Sequence, residues 1–127
     1  VETADELTPT TGSHWMQLFI DADRDKATGW NGYDFVVNRI NPKDKAFLEK
    51  NNQNIWQWET ADECKYFTKG NKLVIRISRE SLGLADGALD IEFKWNDNMQ
   101  EDGNIMDLYV NGDTAPGGRF NFVYTTE

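Results

Sequence analysis

Cysteine and histidine are almost missing from this chain. Among its 127 residues only Cys64 and His14 represent them. One cysteine forbids an internal disulfide, and one Cys with one His cannot build the usual four-ligand zinc site. The redox compartment stays open, since single-cysteine domains of this size occur inside and outside cells. A nucleophilic triad would have to rest on His14, beside the polar opening stretch VETADELTPTTG, and nothing else in the sequence supports one. Basic residues are also scarce: 13 Lys and Arg stand against 22 Asp and Glu, a net charge of −9. Nucleic acids and anionic membranes call for basic surfaces, so neither is expected as a partner. No apolar run approaches the ~18–20 residues of a membrane span, and the opening stretch lacks the hydrophobic core of a signal peptide. No glycine-rich loop follows a strand and opens a helix, because Gly117-Gly118 precedes a strand-like run. Glycosidase chemistry needs two carboxylates about 5–9.5 Å apart, but with 22 acidic residues such a pair can always be named. Catalysis is therefore not expected.

What is present points to a packed β protein. Hydrophobic residues make up 39% and aromatics 13% of the chain, enough for one domain with a real core over residues 1–127. Short apolar runs alternate with Gly, Asn, Asp and Pro clusters, the pattern of an all-β fold: a single antiparallel β-sandwich. Strands are predicted at Trp15–Ile20, Tyr33–Ile40, Ile55–Glu59, Cys64–Thr68, Lys72–Ile77, Leu89–Trp95, Ile105–Val110 and Phe120–Tyr124. Asn41-Pro42 should end the second, and Lys43–Asn54 reads as a loose polar excursion. Gly70-Asn71 should turn a hairpin, and Ser78–Leu84 should form one capped helical turn. In Leu89–Trp95 the residues Leu89, Ile91, Phe93 and Trp95 share a dry face, while Asp90, Glu92 and Lys94 face water.

The stretch FIDADRDKATGWNGYDFVV, Phe19 to Val37, carries the densest chemistry. Asp21, Asp23 and Asp25 stand at every second position, and such crowding costs energy unless a cation offsets it. Calcium takes ~6–8 hard oxygen ligands, and Asp34 could fold back as a fourth carboxylate. The run opens like an EF-hand and then departs, with Lys26 and Gly32 where the turn glycine and the bidentate Glu belong. The competing reading is a solvated acidic loop neutralised by Arg24 and Lys26. The five tryptophans pose a similar choice. Trp15 and Trp95 have apolar register companions and should be core, Trp15 on one face with Phe19. Trp30, in a glycine-bounded loop, and the pair Trp56/Trp58 in NIWQWE are either core or stacking platforms. Planar polar groups accompany them: Asn38 and Arg39, Asn96, Asp97 and Asn98, and Arg119 and Asn121. Aromatic faces beside amides and guanidinium groups suit a sugar, whose C–H face stacks while its hydroxyls pair with the polar rim. Equally, such residues make turns, and Asp97 or Asp113 could pair with Arg119.

The stretches WMQLFIDADRDKATGWNGYDFVVNR, ISRESLGL, FKWNDN and DLYVNGDTAPGGRFNFVY together resemble a β-sandwich domain from large secreted bacterial proteins of polysaccharide use. The chain is similar to the family 9 carbohydrate-binding modules and, more broadly, to the DOMON-like sandwiches, over Trp15 to Tyr124. The resemblance implies a jelly-roll-like sandwich, structural Ca2+ at Asp21, Asp23, Asp25 and Asp34, and a secreted, periplasmic or cell-surface location. It also implies a sugar stacked between Trp30 and one of Trp56 and Trp58. Tyr33, Arg39, Asn96, Asn98, Arg119 and Asn121 would line that site. Residues 1–14 look like a loose or incomplete first strand, and the chain, opening on Val1, reads as a domain of a larger parent. The expected function is a monomeric, non-catalytic carbohydrate-binding module. The alternative is a non-binding structural or interaction domain. A haem sandwich is a third reading, but His14 and Met16 are too close in sequence to ligate iron from opposite sides, so Met99 or Met106 would have to serve.

Overall fold

The computed structural model describes residues 1–7, 14–40, 45–111 and 113–126. The Asn41-Pro42 strand end falls outside the described residues. Among the described residues there are eight strands: β1 Gln17–Asp21, β2 Phe35–Val37, β3 Ala46–Asn51, β4 Trp58–Lys69, β5 Lys72–Arg76, β6 Asp90–Asp97, β7 Asp113–Ala115 and β8 Phe122–Thr125. All pair antiparallel in one sheet of order β5-β4-β3-β2-β1-β6-β7, and β8 shares the β6 edge with β7. The all-β, antiparallel expectation holds.

The sheet curls because β4 is long. Its first half pairs with β3 across an irregularity at Leu48/Glu49, and its second half pairs with β5. The end of β4 and β5 fold back, so that Tyr66 and Ile75 pack against Leu18, Ile20, Phe35, Val37 and Leu48. This is the apolar face. On the other side, Phe19, Trp30, Tyr33, Val36, Met99 and Leu108 make a second cluster with half-buried Trp56, Trp58 and Tyr109. This is the aromatic face.

Several elements differ from expectation, each for a local reason. Lys43–Asn54 is no loose excursion: β3 occupies Ala46–Asn51 and pairs on both sides. Ala46 and Leu48 supply its apolar face, and buried Glu49 is neutralised by Arg39 at 2.7 Å. Two predicted strands merge into β4, whose middle is too polar to show alternation. The predicted strand Ile105–Val110 is instead a short helical turn with a π-helical end, Asp107–Asn111. Asn104 starts it, its Oδ1 accepting the Met106 N–H at 3.0 Å and its carbonyl accepting that of Leu108 at 3.3 Å. Lys94 does not face water. It is buried, and its ammonium donates to the carbonyls of Pro116 and of Phe120, the latter at 3.1 Å. Trp15 does not share a face with Phe19, because Met16 has φ 41° and breaks the two-residue period. The Ser78–Leu84 turn forms as predicted, with Ser78 Oγ accepting the Ser81 N–H and Gly83 at φ 72°.

Candidate functional site

The β1–β2 connection builds the candidate metal centre. A tight two-residue turn sits at its tip: Trp30 and Tyr33 exchange backbone hydrogen bonds at 2.8 and 2.9 Å around Asn31-Gly32, both at positive φ. Asn-Gly is the residue pair such turns select. Gly29 is required beside it, since a Cβ there would lie 2.2 Å from the Tyr33 carbonyl oxygen. The reversal carries Asp34 back toward the end of β1. Carboxylate oxygens of Asp21, Asp23 and Asp34 then lie within 4.8 Å of one another.

Thr28 ties the group together. Its hydroxyl is 2.7 Å from Asp23 Oδ2, 3.2 Å from Asp34 Oδ1 and 3.0 Å from the Asp25 carbonyl. Asp34 Oδ2 accepts the Ala22 N–H at 2.9 Å. Asp25 does not join the cluster. Its carboxylate accepts the Ala27 N–H and its N–H donates to Asp23, which makes it a turn residue. Three of the four expected carboxylates therefore converge, and Asp25 offers at most its carbonyl.

Burial raises the Asp34 carboxyl to about 6, with the charges of Asp23 and Asp21 adding to it. Burial also raises Asp21, while Lys26 works against the shift. For Asp23, burial is outweighed by hydrogen bonds from Thr28 and the Asp25 backbone, and its carboxyl lies below the usual range. Lys26 reaches Asp21 Oδ2 at 2.7 Å and Glu92 at 2.9 Å, and Arg24 reaches Asp90 at 2.9 Å. Of the two neutralising cations of the competing reading, Lys26 is thus in place beside Asp21, whereas Arg24 pairs with Asp90 and Glu92 of β6. One oxygen is left unanswered: Asp21 Oδ1 is buried and has no hydrogen-bond partner. Carboxylates, a hydroxyl and a carbonyl are hard donors, so the set fits a hard divalent cation such as Ca2+ or Mg2+. Bound there, the ion would supply positive charge to Asp21, Asp23 and Asp34 and fix the bend of the loop.

Beyond the turn lies the aromatic face. Trp30 is 4% and Tyr33 2% exposed, so neither offers a bare ring; both are wedged against Phe19, at 5.7 and 5.4 Å between centroids. Trp30, expected as a stacking ring, and Tyr33, expected to line the site, are instead core residues: the tight turn folds both rings inward, where their apolar area is removed from water. Trp56 meets Trp30 edge-on at 4.6 Å and Trp58 at 5.4 Å, and both Trp56 and Trp58 remain half-buried. Gly103 permits this, since a Cβ there would come 3.0 Å from Trp56 Cγ. Of the expected polar rim, Asn121 accepts the Tyr33 hydroxyl at 2.7 Å. Arg119 is exposed; burial raises the Tyr109 phenol, and the Arg119 charge works against that rise. Arg119 pairs with neither Asp97 nor Asp113. The Asp97 carboxylate instead accepts the Met16 N–H at 3.1 Å. Arg39 is committed to Glu49 by two hydrogen bonds of 2.8 and 2.7 Å. Asn98 is exposed at φ 62°. His14 is held by Asp102 at 2.8 Å.

One polar feature was not anticipated. Asn96 on β6 pairs across the sheet with Gln17 on β1, and Thr114 on β7 pairs with Asn96 from the other side. Asn38, just past β2, donates to the Met16 carbonyl at 3.1 Å. Gln17 and Asn96 are fully buried, and none of their side-chain N or O atoms has a partner. Gln17 carried no sequence signal, because an amide inside an apolar run reads as the solvent face of a strand. Thr28 could have been found from its place between Asp23 and Asp34. Comparison of the chain with protein families, with curated proteins and with solved structures finds no match.

Proposed function

We propose that this chain is a non-catalytic carbohydrate-binding domain stabilised by a hard divalent cation, with Ca2+ as the proposed ion. The observation that carries the reading is the gathering, on one side of the sheet, of aromatic and planar polar residues far apart in sequence. Trp56, Trp58, Tyr109, Arg119 and Asn121 surround the buried Trp30–Tyr33 wedge. In this reading Trp30 and Tyr33 back the site, and the half-buried rings of Trp56 and Trp58 meet the C–H face of a sugar. The exposed guanidinium of Arg119 and the amide of Asn121 meet its hydroxyls. The cation holds the loop whose tip supplies the wedge. The resemblance to family 9 carbohydrate-binding modules points the same way and adds a secreted or cell-surface setting within a larger parent, as a monomer.

Tryptophan fluorescence titrated with a panel of soluble oligosaccharides tests it. A blue shift that saturates, and that Trp56→Ala abolishes in a folded variant, supports binding; no response across the panel removes it. A second reading has its own support. Burial of Trp30 and Tyr33 fits a structural or interaction domain whose aromatics serve only the core, and that same flat titration would favour it.

A further inference from the structure

Strand β5 closes the strand order of the sheet, yet its outer edge is already partly used. Val1 and Leu73 exchange backbone bonds of 2.7 and 2.9 Å, the Thr3 N–H donates to the Asn71 carbonyl at 2.9 Å, and Glu2 bridges Lys72. In an antiparallel ladder such doubly bonded pairs recur at every second residue. Ile75 is therefore the next residue whose N–H and C=O point outward, and among the described residues no strand lies beyond it.

The side chains tell the same story. Leu73 and Ile75 pack with Trp15 and with Trp95 of β6. On the neighbouring β8, Phe122 and Tyr124 pair with Phe93 and Ile91, which belong to the apolar core. That face should be dry, yet Phe122 is 45% and Tyr124 50% exposed. A groove of about 650 Å³ also separates residues 1–7 from Trp95, Asn96 and Asp113–Ala115. Among the described residues a half-open core face thus lies beside an outward strand edge, where a further strand would sit about 4.8 Å from β5, with facing sheets about 10 Å apart.

We propose that the outer edge of β5 is a strand-acceptor site. Its occupant is an extended polypeptide segment continuous with Val1–Thr3, antiparallel to β5 and doubly bonded to Ile75. The existing ladder sets both direction and register. Every second residue of the segment, counted back from Val1, shares the side of Leu73 and Ile75, and is apolar because it closes over Phe122 and Tyr124. The intervening residues face water. The ladder would cover an edge that otherwise invites aggregation.

Two extended forms of the chain test the register. One carries Val-Thr-Val-Lys-Val-Thr ahead of Val1, which places valine on the inner side. The other carries the same residues as Thr-Val-Lys-Val-Thr-Val, which places them outside. The first form is expected to melt about 5 °C or more above the unextended chain, since each kcal/mol moves a domain of this size by roughly that much. It should also slow exchange of the Ile75 amide and reduce binding of an apolar dye, and the second form should do none of these. Equal behaviour of the two forms, unchanged exchange at Ile75, or a dimer of the unextended chain with Ile75 already protected would each overturn the proposal.

Discussion

Strand β1 allows the two faces of the sheet to be compared residue by residue, since all five of its positions are buried. Leu18 and Ile20 point into an all-apolar cluster. Gln17, Phe19 and Asp21 point the other way, into an amide pair, an aromatic wedge and a carboxylate cluster in turn. The first face is held by burial alone, which is non-directional and tolerant. The second must satisfy each polar group individually, and there an unanswered group costs about 1–3 kcal/mol. Stability is therefore robust on one face and conditional on charge and ligation on the other.

Truncation should break the comparison most strongly. Phe19→Ala is expected to cost about 3–5 kcal/mol, and Leu48→Ala about 2–5 kcal/mol, in urea unfolding. Phe19→Ala should also expose Trp30 and Trp56, giving a red-shifted fluorescence that Leu48→Ala does not show. If the two spectra match, the wedge is not a unit.

Divalent cation should sharpen it next. Calcium at about 100 times its Kd should stabilise the native chain by about 2.7 kcal/mol, and EDTA should remove the gain. Asp34→Asn should abolish it, leaving the Leu48→Ala cost unchanged. In cation-free buffer the sign of the pH dependence follows from Asp34. Its carboxyl is raised from 3.8 to about 6 by burial, then by Asp23 and Asp21, so the folded state holds the proton more tightly than the unfolded state. Stability should then fall as pH rises from about 4 to about 6, and calcium should oppose the fall. A melting temperature flat across that window, with and without calcium, would remove the site.

A smaller effect is expected at the amide pair. Gln17→Met with Asn96→Leu replaces partnerless buried amides by apolar side chains of similar size, so stability should change by less than about 1 kcal/mol or rise. A loss above about 2 kcal/mol would mean these amides are paired in solution. Last, Cys64 on the apolar face should be inert. Burial, then the Asp62 charge, raises its thiol to about 11, so alkylation at pH 8 should be slow in the folded chain and fast in urea.

Much of this was legible in the sequence, unevenly. β1, β5 and β6 were visible because short apolar runs ended at Asp, Gly or Asn. The acidic loop was visible because the alternation of Asp21, Asp23 and Asp25 is local, but spacing could not separate Asp25 from the three carboxylates that converge. β3 was not, since its charged Glu49 is acceptable only once Arg39 reaches it. Nor was the burial of Lys94, which depends on the carbonyls of Pro116 and Phe120 arriving from another strand.

The order of residues by itself determined the antiparallel β class, the acidic loop and its hard-donor chemistry. These follow from side-chain alternation, turn residues and charge within a few positions, and such short-range preferences survive without neighbours. Only the tertiary structure decided which aspartates converge, which tryptophans are sealed, and which amides are buried. The reason is physical: solvent exposure and pairing belong to contacts between strands, and β1, buried on both faces, does not announce which neighbour will cover each residue.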